Sequence, residues 1–428
     1  MSDKQKAVLA LSIASQTCTT ALNALASPTS LSSNHFTDAP SSTCPPPALE
    51  TLHKDLLSIL QLISHSLTRL ALVLKPSGPP SYSASTPVLT ELTSQISDLA
   101  GCTGTFGLHR VTYGEFLVKE VNQLVEEIVY TTRSLLQAYL HLASDSPRRR
   151  IGTPNVGVLD EDRILGSEES QDEYLRLTGT IHQLIDGAVG ASAASSKKGK
   201  SKALVPGLSK NNAEAVRKLW ILDGGSVKDG VRELKEMIDD YNDEDGDEDE
   251  GLGQEEEEDD GWGELGLGTA KLKKAEVERA SQVLPLLNLT ATLHTHLPTL
   301  FAPSPSTSSS SYFPTLPNPT LSLLPPLSAS LLSTSDDLIA SLYSPQNPMN
   351  ISGNVRKLES VVKELESVFK PLYGGGSTLE EKMARMKVAD GSEEEKEGAK
   401  REMLMGIFAR VYAAAQGIER AISSESGS

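Results

Sequence analysis

Apolar residues three and four positions apart recur along almost every stretch of this 428-residue chain that is not rich in Ser, Pro or acidic residues, and that period admits few folds. Over residues 48–75, Leu49, Leu52, Leu56, Ile59, Ile63, Leu67, Leu70 and Leu74 fall on one helical stripe. Such a stripe must be buried against other helices. Residues 109–144 repeat the pattern through Leu117, Val121, Leu124, Ile128, Leu135, Leu136, Tyr139 and Leu140, which predicts a helix of roughly 54 Å. Residues 4–25 place Val8, Leu11, Ala14, Cys18, Leu22 and Leu25 on one face, and residues 171–189 do the same with Leu177, Ile181, Leu184, Ile185 and Val189. A shorter helix is expected from Thr86 as N-cap, with Pro87 in the first turn. No stretch alternates with the period of two that a half-buried strand requires, so the expected fold is all-α.

Size and composition sharpen this. A chain of 428 residues exceeds the roughly 250 to 300 at which one core stops growing, so two domains are expected. Aromatics make up 4%, which suits Leu, Val, Ile and Ala packing between helices better than an aromatic-lined substrate pocket. Cys18, Cys44 and Cys102 lack metal-ligand spacing and read as thiols of a reducing compartment. The N-terminal apolar run is short and passes into Ser15-Gln16-Thr17, an amphipathic helix rather than a signal peptide. No segment has 18 to 20 uninterrupted apolar residues, so no membrane span is expected.

The expected order is a bundle of about five helices over 1–190, a basic flexible linker over 191–210, and a connecting helix over 211–241. An acidic disordered linker over 242–267 and a second bundle over 268–428, interrupted by a Ser/Pro-rich loop at 303–320, complete it. In the connecting helix Val216, Leu219, Trp220, Val227, Val231, Leu234 and Ile238 share a face, and Gly224-Gly225 should kink or break it. Pro285 should kink the first helix of the second bundle. Ser377 with Glu380 resembles a capping box opening a further helix. The last helix buries Leu404, Ile407, Phe408, Val411, Ala415, Ile418 and Ile422.

Residues 239–260 hold 15 of the 57 acidic side chains; without them the net charge of −18 would be about −3. Like charges at that density repel, and disorder is the expectation. Asp243, Asp245 and Gly246 imitate a calcium loop, but Tyr241 and Leu252 stand where it requires carboxylates. His294 and His296, two apart on a helix, cannot converge on one ion. There is no nucleophile elbow, no Gly-rich phosphate loop with a Lys and no Cys paired with a nearby His, so neither enzymatic activity, cofactor nor metal is expected. Arg148-Arg149-Arg150 and the run Lys197-Lys198-Gly199-Lys200-Ser201-Lys202 are linker charge or, alternatively, importin or anion sites. Ser146-Pro147 and Thr153-Pro154 bracket the arginines, which makes Ser146 and Thr153 candidate phosphorylation sites. No basic helix of the DNA-reading kind is present, so no direct nucleic-acid contact is expected. Trp262 and Leu265, in Gly261-Trp262-Gly263-Glu264-Leu265, are the acidic linker's candidate docking groups.

Three places resemble one known family: Val227-Lys228-Asp229-Gly230 followed by Glu233; the acidic tract with its Gly-Trp-Gly-Glu-Leu ending; and Asp336-Asp337-Leu338-Ile339-Ala340-Ser341-Leu342-Tyr343-Ser344-Pro345. Their order and spacing are similar to those of the cyclin-D-binding proteins, also described as adaptor- and cyclin-D-interacting proteins. The resemblance covers about residues 48–425. It implies two helical bundles in the style of talin and vinculin, no enzymatic activity, and a regulator of cell-cycle progression in nucleus and cytoplasm that binds cyclin-like or helix-loop-helix partners. Val227, Lys228, Asp229, Asp336, Asp337 and Tyr343 become candidate interaction residues. A talin/vinculin-like cytoskeletal or membrane-surface adaptor is the second reading, because bundle architecture alone does not separate the two.

Overall fold

The computed structural model describes residues 1–26, 45–75, 80–144, 162–190, 207–244, 272–301, 316–374 and 391–425. Among them every regular element is a helix: α1 (Asp3–Ala26), α2 (Leu49–Val73), α3 (Tyr82–Leu108), α4 (Arg110–Tyr113), α5 (Glu115–Ser144), α6 (Asp162–Val189) and α7 (Asn212–Glu244) come first. Then follow α8 (Lys274–His296), α9 (Pro298–Phe301), α10 (Asn318–Leu321), α11 (Leu324–Ala340), α12 (Pro348–Gly374) and α13 (Gly391–Glu425). The chain divides into two compact units, Met1–Ala215 and Val216–Ser428, and the division falls inside α7.

In the first unit α1 packs on α3 and α5, α2 on α3 and α6, and α5 on α6, so five long helices close a ring. The spacing of leucines explains the closure. Leu52, Leu56, Leu60, Ile63, Leu67 and Leu70 of α2 are buried together with Leu117, Val121, Ile128, Leu135 and Leu136 of α5. Full burial of one such side chain contributes roughly 1.5 to 3 kcal/mol, and a ring lets each stripe find two neighbours. A polar link joins α2 to α6, where Ser64 Oγ lies 2.8 Å from His182 Nδ1. By length and composition α1 and α2 could each cross a membrane. In this unit each buries one stripe and exposes polar residues on the other side, Ser12, Gln16 and Thr20 on α1 and Lys54, Asp55 and Gln61 on α2.

The helix expected over 109–144 is divided. Gly114, at φ +97°, separates α4 from α5. The first turn of α5 then has orphan N–H groups, which every helix start must satisfy. Asn212 does this from far along the chain: its Oδ1 accepts the N–H of Phe116 at 3.0 Å and of Leu117 at 3.2 Å. A Cβ at Gly114 would collide with the Asn212 side chain, so the glycine and the asparagine require each other.

In the second unit α8 packs on α13, α13 on α12 and α12 on α11. The ring closes through α7, whose Trp220 lies against His294 of α8 and whose Asp223 takes a hydrogen bond from Ser328 of α11. Val355, Leu358, Val362, Leu365 and Phe369 of α12 and Leu404, Ile407, Phe408 and Val411 of α13 supply much of its core.

Two local expectations are corrected. Helix α3 starts at Tyr82, not Thr86, and Thr86 Oγ1–H bonds back to the Tyr82 carbonyl instead of capping. Helix α7 runs unbroken through Gly224-Gly225. Helix α8 is a single helix that contains Pro285, and α9 is a separate turn beyond Leu297. Pro87 and Pro285, with Ser83 and Ser281 four residues before them, all lie on exposed positions, so the carbonyl each proline leaves without a donor faces water. Cys44 and the Ser377–Glu380 capping box lie outside the described residues.

Replacing Asn212 by Ala should lower the stability of the first unit by about 1 to 2 kcal/mol, because two N–H groups at a buried helix start lose their acceptor. Asn212→Asp keeps the acceptor and should lose much less. Urea midpoints of the full chain measure both, and equal losses for Ala and Asp would rule out the capping role.

Candidate functional site

Four polar or aromatic side chains from three helices meet inside the second unit. The Trp220 and His294 rings lie with centroids 4.7 Å apart, and Trp220 Nε1–H donates to the His294 carbonyl at 2.9 Å. Ser328 Oγ–H donates to Asp223 Oδ2 at 2.6 Å, and Ser328 Oγ lies 3.3 Å from His294 Nε2. Since the serine proton goes to the carboxylate, Nε2 must carry the imidazole proton and donate to Ser328. Nδ1 is then a bare lone pair. It is buried with no hydrogen-bond partner, and it faces Gly224, where an added Cβ would stand 2.9 Å from it. Gly224 therefore serves close helix approach. Burial pushes His294 down to about 4, outweighing the opposite pull of the nearby Ser328 and Trp220 main chain.

The chemistry of this cluster is structural. In a hydrolase triad the imidazole lies between carboxylate and hydroxyl. Here the hydroxyl lies between carboxylate and imidazole, so nothing withdraws its proton toward the ring. Among the described residues no three His, Cys, Asp or Glu side chains are grouped to hold a metal.

The two helical motifs singled out in the sequence meet on this same unit. Val227 is buried on the core face of α7, whereas Lys228 and Asp229 are exposed, Asp229 pairing with Arg232 at 3.0 Å. Gly230 faces α11, where an added Cβ would stand 2.9 Å from Ile339 Cδ1, the movable end of that side chain. Tyr343 O–H donates to Glu233 Oε1 at 2.5 Å, and that bond, followed by burial, raises the phenol to about 12. Asp336 is raised by burial and then by the neighbouring Asp337 charge. The Asp337 carbonyl accepts from Asn354 Nδ2 at 2.9 Å.

The turn after Tyr343 is anchored to α8 as well. Gln346 N–H donates to Glu276 Oε1 at 3.0 Å, Gln346 Nε2–H donates to the Glu276 carbonyl at 3.0 Å, and Arg279 Nε–H donates to Gln346 Oε1 at 2.9 Å. Burial alone would raise the Glu276 carboxyl, but the N–H bonds from Gln346 and Lys273 hold it below its usual value.

Between α7 and α8 lies an open groove of about 360 Å³. Its α7 wall carries Lys228, Arg232 and Lys235; Val231, Leu284 and Ala291 give it an apolar floor, and α8 adds Asn288, Thr292 and Thr295. The cations recur at four and three residues, so they project along one edge. A second open groove, of about 410 Å³, lies between α11 and α12 and includes Asp337, Ala340, Met349 and Lys357.

Of the expected interaction residues, Lys228 thus lines the basic groove and Asp337 the other, Val227 belongs to the core, and Asp229, Asp336 and Tyr343 make local contacts around the α7–α11 junction. Trp262, Leu265, Ser146 and Thr153 lie outside the described residues. Two degenerate cyclin-docking patterns, a basic residue followed two later by Leu and then another apolar residue, occur at Lys54-Asp55-Leu56-Leu57 and Arg133-Ser134-Leu135-Leu136; both are core packing, since Leu56, Leu135 and Leu136 are fully buried. Sequence reasoning weighed His294 only as a metal ligand and passed over Asp223, Ser328, Glu276 and Gln346. They are spread over more than a hundred positions and share no spacing.

Among the described residues the second unit is a helical bundle whose polar side chains are tied into packing and whose surface carries open grooves, the build of a protein-interaction module. Family models agree: residues 55–197 match the N-terminal and residues 243–367 the C-terminal domain described as Grap2 and cyclin-D-interacting, together more than half of the chain. The chain belongs to this family, and its function is that of a non-enzymatic, cell-cycle-related interaction protein. No curated protein matches it.

The His294 ring generates a signed pH dependence. Its ordinary value of 6.5 applies to the unfolded chain and about 4 to the folded one, so between these pH values the unfolded state binds more protons. Stability should therefore fall as pH drops through that window, by up to roughly 3 kcal/mol. In His294→Gln this component vanishes. Urea midpoints of the second unit's transition at pH 7 and pH 4.5 measure it, and an unchanged slope in the variant contradicts a neutral buried ring.

Proposed function

We propose that the chain restrains cell-cycle progression by docking a partner's amphipathic helix in the α7–α8 groove of its second unit. The partners are cyclin-like or helix-loop-helix regulators. The observation that carries this is membership of a family described as cyclin-D-interacting, supported by a groove that joins an apolar floor to a basic edge. A helix entering such a groove needs apolar residues at three-four spacing and carboxylates on the flank facing Lys228, Arg232 and Lys235. Charge complementarity of this kind sets association rate and partner choice more than raw affinity. The protein acts in cytoplasm and nucleus, and its lysine run at 197–202 would serve import.

A second reading is favoured by the five long helices that close a ring in the first unit, which is in keeping with bundles of the talin and vinculin style and an adaptor role on cytoskeleton or membrane surfaces. Affinity purification from the native host separates the two. Co-purifying cyclins or helix-loop-helix regulators support the first, whereas actin and adhesion components overturn it.

The site itself is tested with the triple variant Lys228→Glu, Arg232→Glu, Lys235→Glu. These three side chains are exposed, so the fold should be retained. Its affinity for a purified cyclin D, read by calorimetry, should fall at least tenfold, about 1.4 kcal/mol. An unchanged affinity places the partner elsewhere.

A further inference from the structure

We infer that the α7–α8 groove is also the docking site of the chain's own acidic connection, with Trp262 and Leu265 on the apolar floor and the carboxylates of residues 255–260 and 264 along the basic edge. The inference rests on the groove being the partner surface proposed above, and it adds a regulator of that surface: partner and acidic segment compete for it.

Chemistry, reach and concentration support this occupant. The groove combines Val231, Leu284 and Ala291 with Lys228, Arg232 and Lys235. Arg232 is engaged by Asp229 at 3.0 Å, but among the described residues neither Lys228 nor Lys235 has an ion-pair partner. The matching pattern, apolar anchors flanked by dense carboxylate, occurs in the chain at Glu255-Glu256-Glu257-Glu258-Asp259-Asp260-Gly261-Trp262-Gly263-Glu264-Leu265. That segment belongs to the connection between the two helices that form the groove, α7 ending at Glu244 and α8 starting at Lys274.

Reach is ample. Leu284 lies ten residues into α8, about 15 Å along its axis. Trp262 precedes Lys274 by twelve residues, which extend to as much as about 40 Å. On the other side, Arg232 lies twelve residues before Glu244, about 18 Å back along α7. A segment tethered at both ends of the groove's walls is present at an effective concentration of order millimolar. An external partner must exceed that. The carboxylates repel one another in isolation, and the basic edge relieves part of that repulsion, so docking weakens as salt shortens the screening length below about 8 Å.

The test uses the full chain. It has two tryptophans, and Trp220 is fully buried. Acrylamide quenching therefore reads Trp262. Docking predicts weak quenching in the native chain and a several-fold increase in the charge-reversed triple variant or at high salt. Zero-length carbodiimide coupling should join Lys228 or Lys235 to carboxylates of residues 255–264 within one chain, independent of dilution. It should fail in Trp262→Ala/Leu265→Ala, a variant that should also bind cyclin D several-fold more tightly. Strong quenching in the native chain without intrachain coupling overturns the inference, and so does coupling that occurs between chains and fades on dilution. If coupling is absent while the triple variant still loses cyclin D, the inference fails and the partner reading stands. If coupling is present and cyclin D ignores both variants, docking stands and the partner reading fails.

Discussion

The second unit depends on a close approach of helices at Gly224. An ordinary side chain there would collide with His294, and without that approach Trp220 could not lie on the imidazole or reach the His294 carbonyl. The approach is costly in one respect, since it leaves Nδ1 buried without a donor. The offset comes from ring contact, from the Ser328–Asp223 hydrogen bond and from the apolar residues that Trp220 shares its face with. Through these contacts α7 joins both α8 and α11, and the ring closes.

The same arrangement shapes the surface. With α7 held against α8 near Trp220, Lys228, Arg232 and Lys235 line one side of the shallow channel and Leu284, Ala291 and Thr295 the other. The α11–α12 turn is fixed by Tyr343 on Glu233 and by Gln346 on Glu276, so a second set of hydrogen bonds ties the far portions of α7 and α8 to one turn. Packing deep in the unit thus positions side chains that never enter its core.

Much of this architecture was legible in the sequence because burial repeats locally. Leu358, Val362, Leu365 and Phe369 on α12, or Phe408, Val411, Ala415 and Ile418 on α13, are buried where three-four spacing places them. Local rules failed where long-range packing or solvent decided. Gly224-Gly225 costs a helix propensity, but the neighbouring ring needs the space. Pro87 and Pro285 withhold donors only on exposed faces, and α3 and α8 continue. The site was half legible: the α7 and α11 motifs were identified and do meet through Gly230 with Ile339 and Glu233 with Tyr343. The Asp223–Ser328–His294 link was not, because hydrogen bonds spanning 34 and 105 positions leave no periodic trace.

The central claim is that the second unit's α7–α8 groove is where this protein engages its partner. Amide hydrogen exchange of the full chain, followed by mass spectrometry with and without saturating purified cyclin D, tests it most directly. The expected result is slowed exchange concentrated in α7 around residues 228–235 and in α8 around 284–295. A formed complex whose protection lies wholly in the first unit, or avoids both segments, contradicts it.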